Sequence, residues 1–169
     1  MAETLDPALP VEVQQQAETV LELAQAKGLC LATAESCTGG LLSALLTDVP
    51  GLSHVFERGF VVYSDDAKCD LLGIARHTVD RCGAVSREVA IEMAGGALRH
   101  SRADIALAVT GFAGPAGENE EEGLVHFACE RPGCDPLHRE AHFGPIGRQG
   151  VRIEALRTAL HMLEDTLKA

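Results

Sequence analysis

The sequence predicts an α/β protein, a three-layer α/β/α arrangement around a mixed, mostly parallel central sheet. Short apolar runs at residues 29–34, 59–63 and 104–109 alternate with stretches whose apolar residues recur at helical spacing. Glycine or a Pro-Gly pair ends several of those stretches, at Gly28, Pro50-Gly51 and Gly73. The run 104–109 is apolar almost throughout, as a central strand covered on both faces requires.

Each element follows from its own local signals. Val13, Ala17, Val20, Leu21 and Ala24 mark one face of an opening helix that Gly28 ends. Residues 1–10 are expected to form a flexible tail on a single domain spanning 1–169. A buried strand over 29–34 leads through a turn at Ser36 into a helix over 41–49. The β-rich segment Gly59-Phe60-Val61-Val62-Tyr63 reads as a second strand. Ser64 is placed to cap a short helix over 65–72, and a loop follows Gly73. Ser86 caps the next helix, whose stripe of Val89, Ala90, Met93, Ala94, Ala97 and Leu98 suits a helix laid on a sheet. The strand at 104–109 runs into a glycine-rich loop over 110–117. Residues 123–129 and 137–143 read as an antiparallel pair, and a last helix covers 148–167 with Val151, Ala155, Leu156, Ala159, Leu160 and Leu163 facing inward.

Composition narrows the function classes. A chain of 169 residues with 46% hydrophobic and 23% charged residues can bury a core without staples. Its net charge of −11 and 4% aromatic content argue against general binding of nucleic acid or of an anionic membrane. No signal peptide or membrane-spanning run is visible, so a cytoplasmic location with reduced cysteines is expected.

Ser36, Tyr63 and Thr110 each fall at the carboxyl end of an expected strand, the edge where open α/β sheets bind ligands. Ser36 precedes a helix whose first N–H groups have no partners within the helix and could stabilise an oxyanion. It is therefore either a nucleophile or, like Thr38, a simple helix cap. Cys37 is a rival nucleophile unless it is inert packing. A serine needs a base, and Lys68 is one turn into the helix that Ser64 opens, where the dipole disfavours a cation. The alternative is a surface lysine paired with Asp65 or Asp70. Tyr63 could relay a proton or merely pack. The glycine-rich loop could wrap a phosphate or carboxamide. His126, Cys129, Cys134, His138 and His142 crowd together, but their spacing fits no standard zinc site, and strand alternation would send His126 and Cys129 to opposite faces.

Ala34-Glu35-Ser36-Cys37-Thr38-Gly39-Gly40-Leu41, Arg58 to Ser64 with Ala67-Lys68 and Leu71-Leu72-Gly73, Gly83-Ala84-Val85-Ser86, and Val109 to Pro115 together resemble the CinA C-terminal domain family. Its enzymatic members are nicotinamide-nucleotide amidases. The resemblance implies a homo-oligomer that hydrolyses the carboxamide of nicotinamide mononucleotide, a pyridine nucleotide, with no metal and no cofactor. It implies Ser36 as nucleophile, Lys68 as base and Tyr63 as a further catalytic-site residue. It also implies a substrate pocket built from Cys37, Thr38, Gly39, Gly40, Thr110 and Gly111, with Arg148 positioned for the phosphate. Two segments depart from the family pattern. The usual Gly-Gly-Ser to Lys-Pro-Val-Gly continuation is replaced by residues 116–123 with four glutamates, and 144–147 replaces an acidic approach to Arg148. Carboxylates beside a phosphate pocket would weaken binding unless that loop turns away. A non-catalytic domain that binds a nucleotide or a partner is the competing expectation.

Overall fold

The computed structural model describes residues 9–169. Most of the tail expected over 1–10 therefore lies outside the described residues. Leu9 is buried in the core, and the Pro10 carbonyl accepts the Val13 N–H at the start of the first helix.

The elements run α1 (Val11–Lys27), β1 (Leu31–Glu35), α2 (Leu41–Thr47), a 3₁₀ turn (Ser53–Val55), β2 (Phe56–Val61), α3 (Asp65–Leu72), α4 (Arg76–Cys82), α5 (Arg87–Arg99), β3 (Ile105–Gly111), β4 (Leu124–Glu130), β5 (Leu137–His142) and α6 (Gly147–Lys168). The five strands form one sheet in the order β2-β1-β3-β4-β5. β2, β1 and β3 are parallel neighbours, and β4 pairs antiparallel with both β3 and β5. The mixed sheet, parallel where β1 is central, is the one expected from the sequence.

Alternation along the strands sorts the core into two faces. Leu31, Ile105, Leu107, Val109, Val125 and Phe127 join a cluster with α1, α2 and α6. Ala32, Ala34, Ala106, Ala108 and Ala128 pack under α5, with Leu72 of α3 and Val79 of α4. The alanine face lets α5 lie close. At Gly96 of α5 a side chain could not exist, because a Cβ would stand 2.4 Å from the Leu72 carbonyl oxygen.

Three expectations are corrected. The second strand is at Phe56–Val61, not 59–63: its register with β1 starts at Leu31 opposite Phe56 and ends at Glu35 opposite Val61. As an edge strand it has no buried residue, so hydrophobicity does not mark its limits. The stretch after Gly73 is not all loop but contains α4, which buries only Thr78 and Val79 and so lacks a legible stripe. The helix after Ser36 ends at Thr47 rather than residue 49.

The chain leaves β1 through α2 for β2 on one face, then returns by α3–α5 on the other face to β3. The crossover direction reverses between β1 and β3, so their carboxyl ends diverge from a cleft at a topological switch point. Among the described residues, no helix is long and apolar enough to cross a membrane.

Candidate active site

A cleft of about 270 Å³ opens at that switch point, lined by Ser36, Tyr63, Lys68, the 110–115 loop and Arg148 among others. Ser36 follows the last residue of β1, and its N–H donates to the Val109 carbonyl of β3 (3.0 Å). The chain then turns sharply: Gly39 N–H donates back to Ser36 O (3.0 Å), and Gly39 and Gly40 adopt left-handed φ of 61° and 97°. Residues with a Cβ rarely hold such angles, which accounts for the glycine pair.

Lys68 is 1% exposed and lies 3.1 Å from Ser36 through Nζ and Oγ. Ser64 puts it there: its hydroxyl accepts the Ala67 N–H (3.0 Å) and starts α3, whose first turn directs Lys68 inward. The amine also donates to the Val62 carbonyl (3.0 Å), with the Tyr63 carbonyl at 3.5 Å. A surface lysine paired with Asp65 or Asp70 is thereby excluded. Burial lowers the Lys68 pKa from the ordinary lysine value, and the neighbouring Asp65 charge only partly opposes the shift.

The other expected site residues divide into wall and scaffold. Cys37, Tyr63, Thr110, Gly111 and Arg148 line the cleft. Tyr63 is 63% exposed at the rim, whereas Ser36 and Lys68 are buried. Thr110 uses its hydroxyl to hold the Ala84 carbonyl (2.8 Å), tying the end of β3 to the loop before α5. Arg148, exposed at the start of α6, lies where a Gly114 Cβ would be, its guanidinium 2.4 Å from that point. Thr38, Gly39 and Gly40 do not line the cleft but form the turn behind it. Thr38 is buried, and among the described residues its hydroxyl has no hydrogen-bond partner. Burial pushes the Cys37 thiol up to about 12, so it stays protonated at neutral pH and is a poor nucleophile.

Two residues that sequence reasoning left without a role support the turn. Glu35 is fully buried at the end of β1. Its carboxylate accepts the N–H groups of Leu42 (2.9 Å) and Ser43 (2.8 Å) and the Ser43 hydroxyl (2.6 Å). The start of α2 is thus capped by Glu35, and the expectation of unpartnered helix N–H groups beside Ser36 is corrected at Leu42 and Ser43. Arg152 of α6 donates from Nε to the Cys37 carbonyl (2.8 Å). Its position one helical turn after Arg148 was the available signal.

None of the glutamates at 118–122 lines this cleft, but the segment borders the cavity next to it, which shares Asp65, Ala84, Val85 and Phe112 with the cleft. Glu120 and Glu121 border a neighbouring cavity, and His142 Nδ1 of β5 lies 2.7 Å from a Glu121 carboxylate oxygen. His142 also contacts Glu140 (2.8 Å), and the two carboxylates raise its pKa above the usual histidine value. His126 and His138 lie 3.0 Å apart through Nδ1 and Nε2 on the α5 side of the sheet, while Cys129 enters the opposite core. Among the described residues, no group of three or more His, Cys, Asp or Glu could hold a metal ion.

Comparison with known proteins bears on the family and the fold. The CinA C-terminal domain profile matches residues 13–167. The nicotinamide-nucleotide amidohydrolase PncC of Escherichia coli K12 is 42% identical over 154 residues, covering 90% of this chain and 93% of that protein. A competence-damage inducible protein of Caldicellulosiruptor saccharolyticus is 50% identical over 119 residues, 69% of this chain, but the match spans only 29% of that longer relative. The crystal structure of competence/damage inducible protein CihA from Agrobacterium tumefaciens matches with a TM-score of 0.91 and 43% identity, covering 100% of both chains. By sequence and by fold, the chain belongs to the CinA C-terminal domain family.

Proposed function

We propose that this chain is a nicotinamide-nucleotide amidase, hydrolysing the carboxamide of nicotinamide mononucleotide to nicotinate mononucleotide and ammonia. The observation that carries the reading is the buried Lys68 Nζ at 3.1 Å from Ser36 Oγ, inside a cleft that Arg148 borders. The name and high coverage of the E. coli relative support the choice of substrate.

In the neutral amine, two N–H bonds face the Val62 and Tyr63 carbonyls and leave the lone pair for the Ser36 hydroxyl proton. As Ser36 Oγ attacks the carboxamide carbon, Lys68 takes that proton, and the carbonyl oxygen becomes an oxyanion facing the turn N–H groups. The C–N bond then breaks, and the proton on Lys68 passes to the departing nitrogen, which leaves as ammonia. Water, deprotonated by Lys68, attacks the resulting ester; the C–Oγ bond breaks, Lys68 returns the proton to Ser36 Oγ, and the product acid leaves and ionises to the carboxylate. Arg148, whose guanidinium has no ion-pair partner among the described residues, is available for the nucleotide phosphate.

Ser36→Ala removes the nucleophile and is expected to abolish ammonia release from nicotinamide mononucleotide while leaving the unfolding midpoint close to wild type. Undiminished release by a folded Ser36→Ala protein would refute the assignment.

A further inference from the structure

We infer that Arg152 is a positioning residue for this reaction: its bond to the Cys37 carbonyl fixes the turn that follows Ser36 and so holds the nucleophile in its reactive orientation. The inference rests on the amidase reading above and deepens it.

Residues 36–39 form a β-turn closed by Gly39 N–H to Ser36 O. Such a turn retains one soft motion, the flip of its central peptide, which separates type I from type II. Here the central peptide joins Cys37 to Thr38. A flip would reverse the Cys37 carbonyl and the Thr38 N–H together, because the two point oppositely across a planar trans peptide. The side chain best placed to oppose that flip is Arg152. Its Nε donates to Cys37 O at 2.8 Å, and a terminal guanidinium nitrogen lies 3.3 Å from where a Gly39 Cβ would be.

α6 therefore holds the turn through one hydrogen bond to Cys37 O, with the rest of the guanidinium lying beside Gly39. Holding the carbonyl on the α6 side keeps that peptide from flipping, and so keeps the turn behind Ser36 in one arrangement. The other supports cannot substitute. Glu35 engages only groups of α2, the Leu42 and Ser43 N–H and the Ser43 hydroxyl, and the Gly39 N–H is committed to closing the turn. Arg148 and Arg152 then divide the work of α6: the first faces the cleft and the second holds its floor.

The test measures ammonia release from nicotinamide mononucleotide and from nicotinamide riboside, which carries the same amide without phosphate. For Arg152→Ala, kcat should fall roughly 10- to 100-fold on both substrates, somewhat less than loss of an oxyanion donor itself. KM should stay essentially unchanged, as should the pH at which the rate rises. A groove of about 360 Å³ against Leu9, Leu41 and Ile153 opens onto Arg152, so added guanidinium ion should restore part of the lost kcat. Arg152→Lys keeps the charge and one donor, and its kcat should fall between the two; it carries the test if the alanine variant does not fold. Full kcat in a folded Arg152→Ala protein overturns the inference. So does a rise in KM confined to the phosphate-bearing substrate, which would make Arg152 a phosphate ligand. Wild-type protein inactive on both substrates would instead overturn the amidase reading itself.

Discussion

At the residue scale, the decisive quantity is the charge state of Lys68. In water a lysine near neutral pH is almost wholly protonated and cannot accept a proton. Burial against Ser36 and the Val62 carbonyl favours the neutral form, while the Asp65 carboxylate favours the charged one, and burial is the larger effect. Activity should therefore rise with pH through the lowered Lys68 value and level off above it. Removing the opposing charge lowers that value further, so Asp65→Asn should move the acid limb of the kcat/KM profile toward lower pH. An unmoved limb, or one shifted upward, would take Lys68 out of the titration. The stability linkage has the matching sign. The unfolded chain holds the Lys68 proton up to about pH 10.4 and the folded chain releases it at lower pH, so stability rises across the interval between those two values. Lys68→Met should abolish turnover and remove that part of the pH dependence of unfolding.

At the element scale, α2 depends on a partner outside itself. It has seven residues, too few for a helix to persist alone, and its N-cap Gly40 offers no side chain. The buried Glu35 carboxylate supplies the missing acceptors. Glu35→Ala would leave the Leu42 and Ser43 N–H groups without acceptors, at a cost of about 2–3 kcal/mol for charge-assisted bonds. Urea titration should show that loss, with Glu35→Gln recovering part of it because one acceptor oxygen remains. A midpoint equal to wild type in Glu35→Ala would mean that α2 is held by packing alone. The helix starts behave differently. Ser64 and Ser86 cap α3 and α5 as their sequence positions imply, each accepting the N–H three residues on. α4 buries two residues and its outline came only from the structure, as did the limits of β2.

At the scale of the whole molecule, the sheet is packed unequally on its two faces. Large aliphatic and aromatic side chains meet α1, α2 and α6, while alanines meet α5. The alanine face sets how deeply α5 sits, and α5 follows the loop whose Ala84 carbonyl is held by Thr110 at the cleft. Ala108→Leu would force α5 outward, costing about 1–3 kcal/mol by overpacking. Ammonia release should fall as well, because the 83–86 wall of the cleft moves with the helix. A thermal melt and a kcat measurement on the same preparation check both effects, and a destabilised variant with full kcat would show that the wall is held independently of α5.

Local patterns in the chain determined most of the helices and strands, α4 and the limits of β2 excepted, and that Ser36, Tyr63 and Thr110 gather at one edge of the sheet. They could do so because periodicity, caps and glycine stops act within a few residues. Tertiary structure alone decided that Lys68 reaches Ser36 across 32 positions and that Arg152 reaches Cys37 across 115. It also placed Tyr63 at the rim, set the glutamate-rich segment beside a cavity adjoining the cleft, and made Glu35 the cap of α2. Those outcomes depend on how layers stack and how deeply each side chain is buried, and no stretch of sequence contains that information by itself.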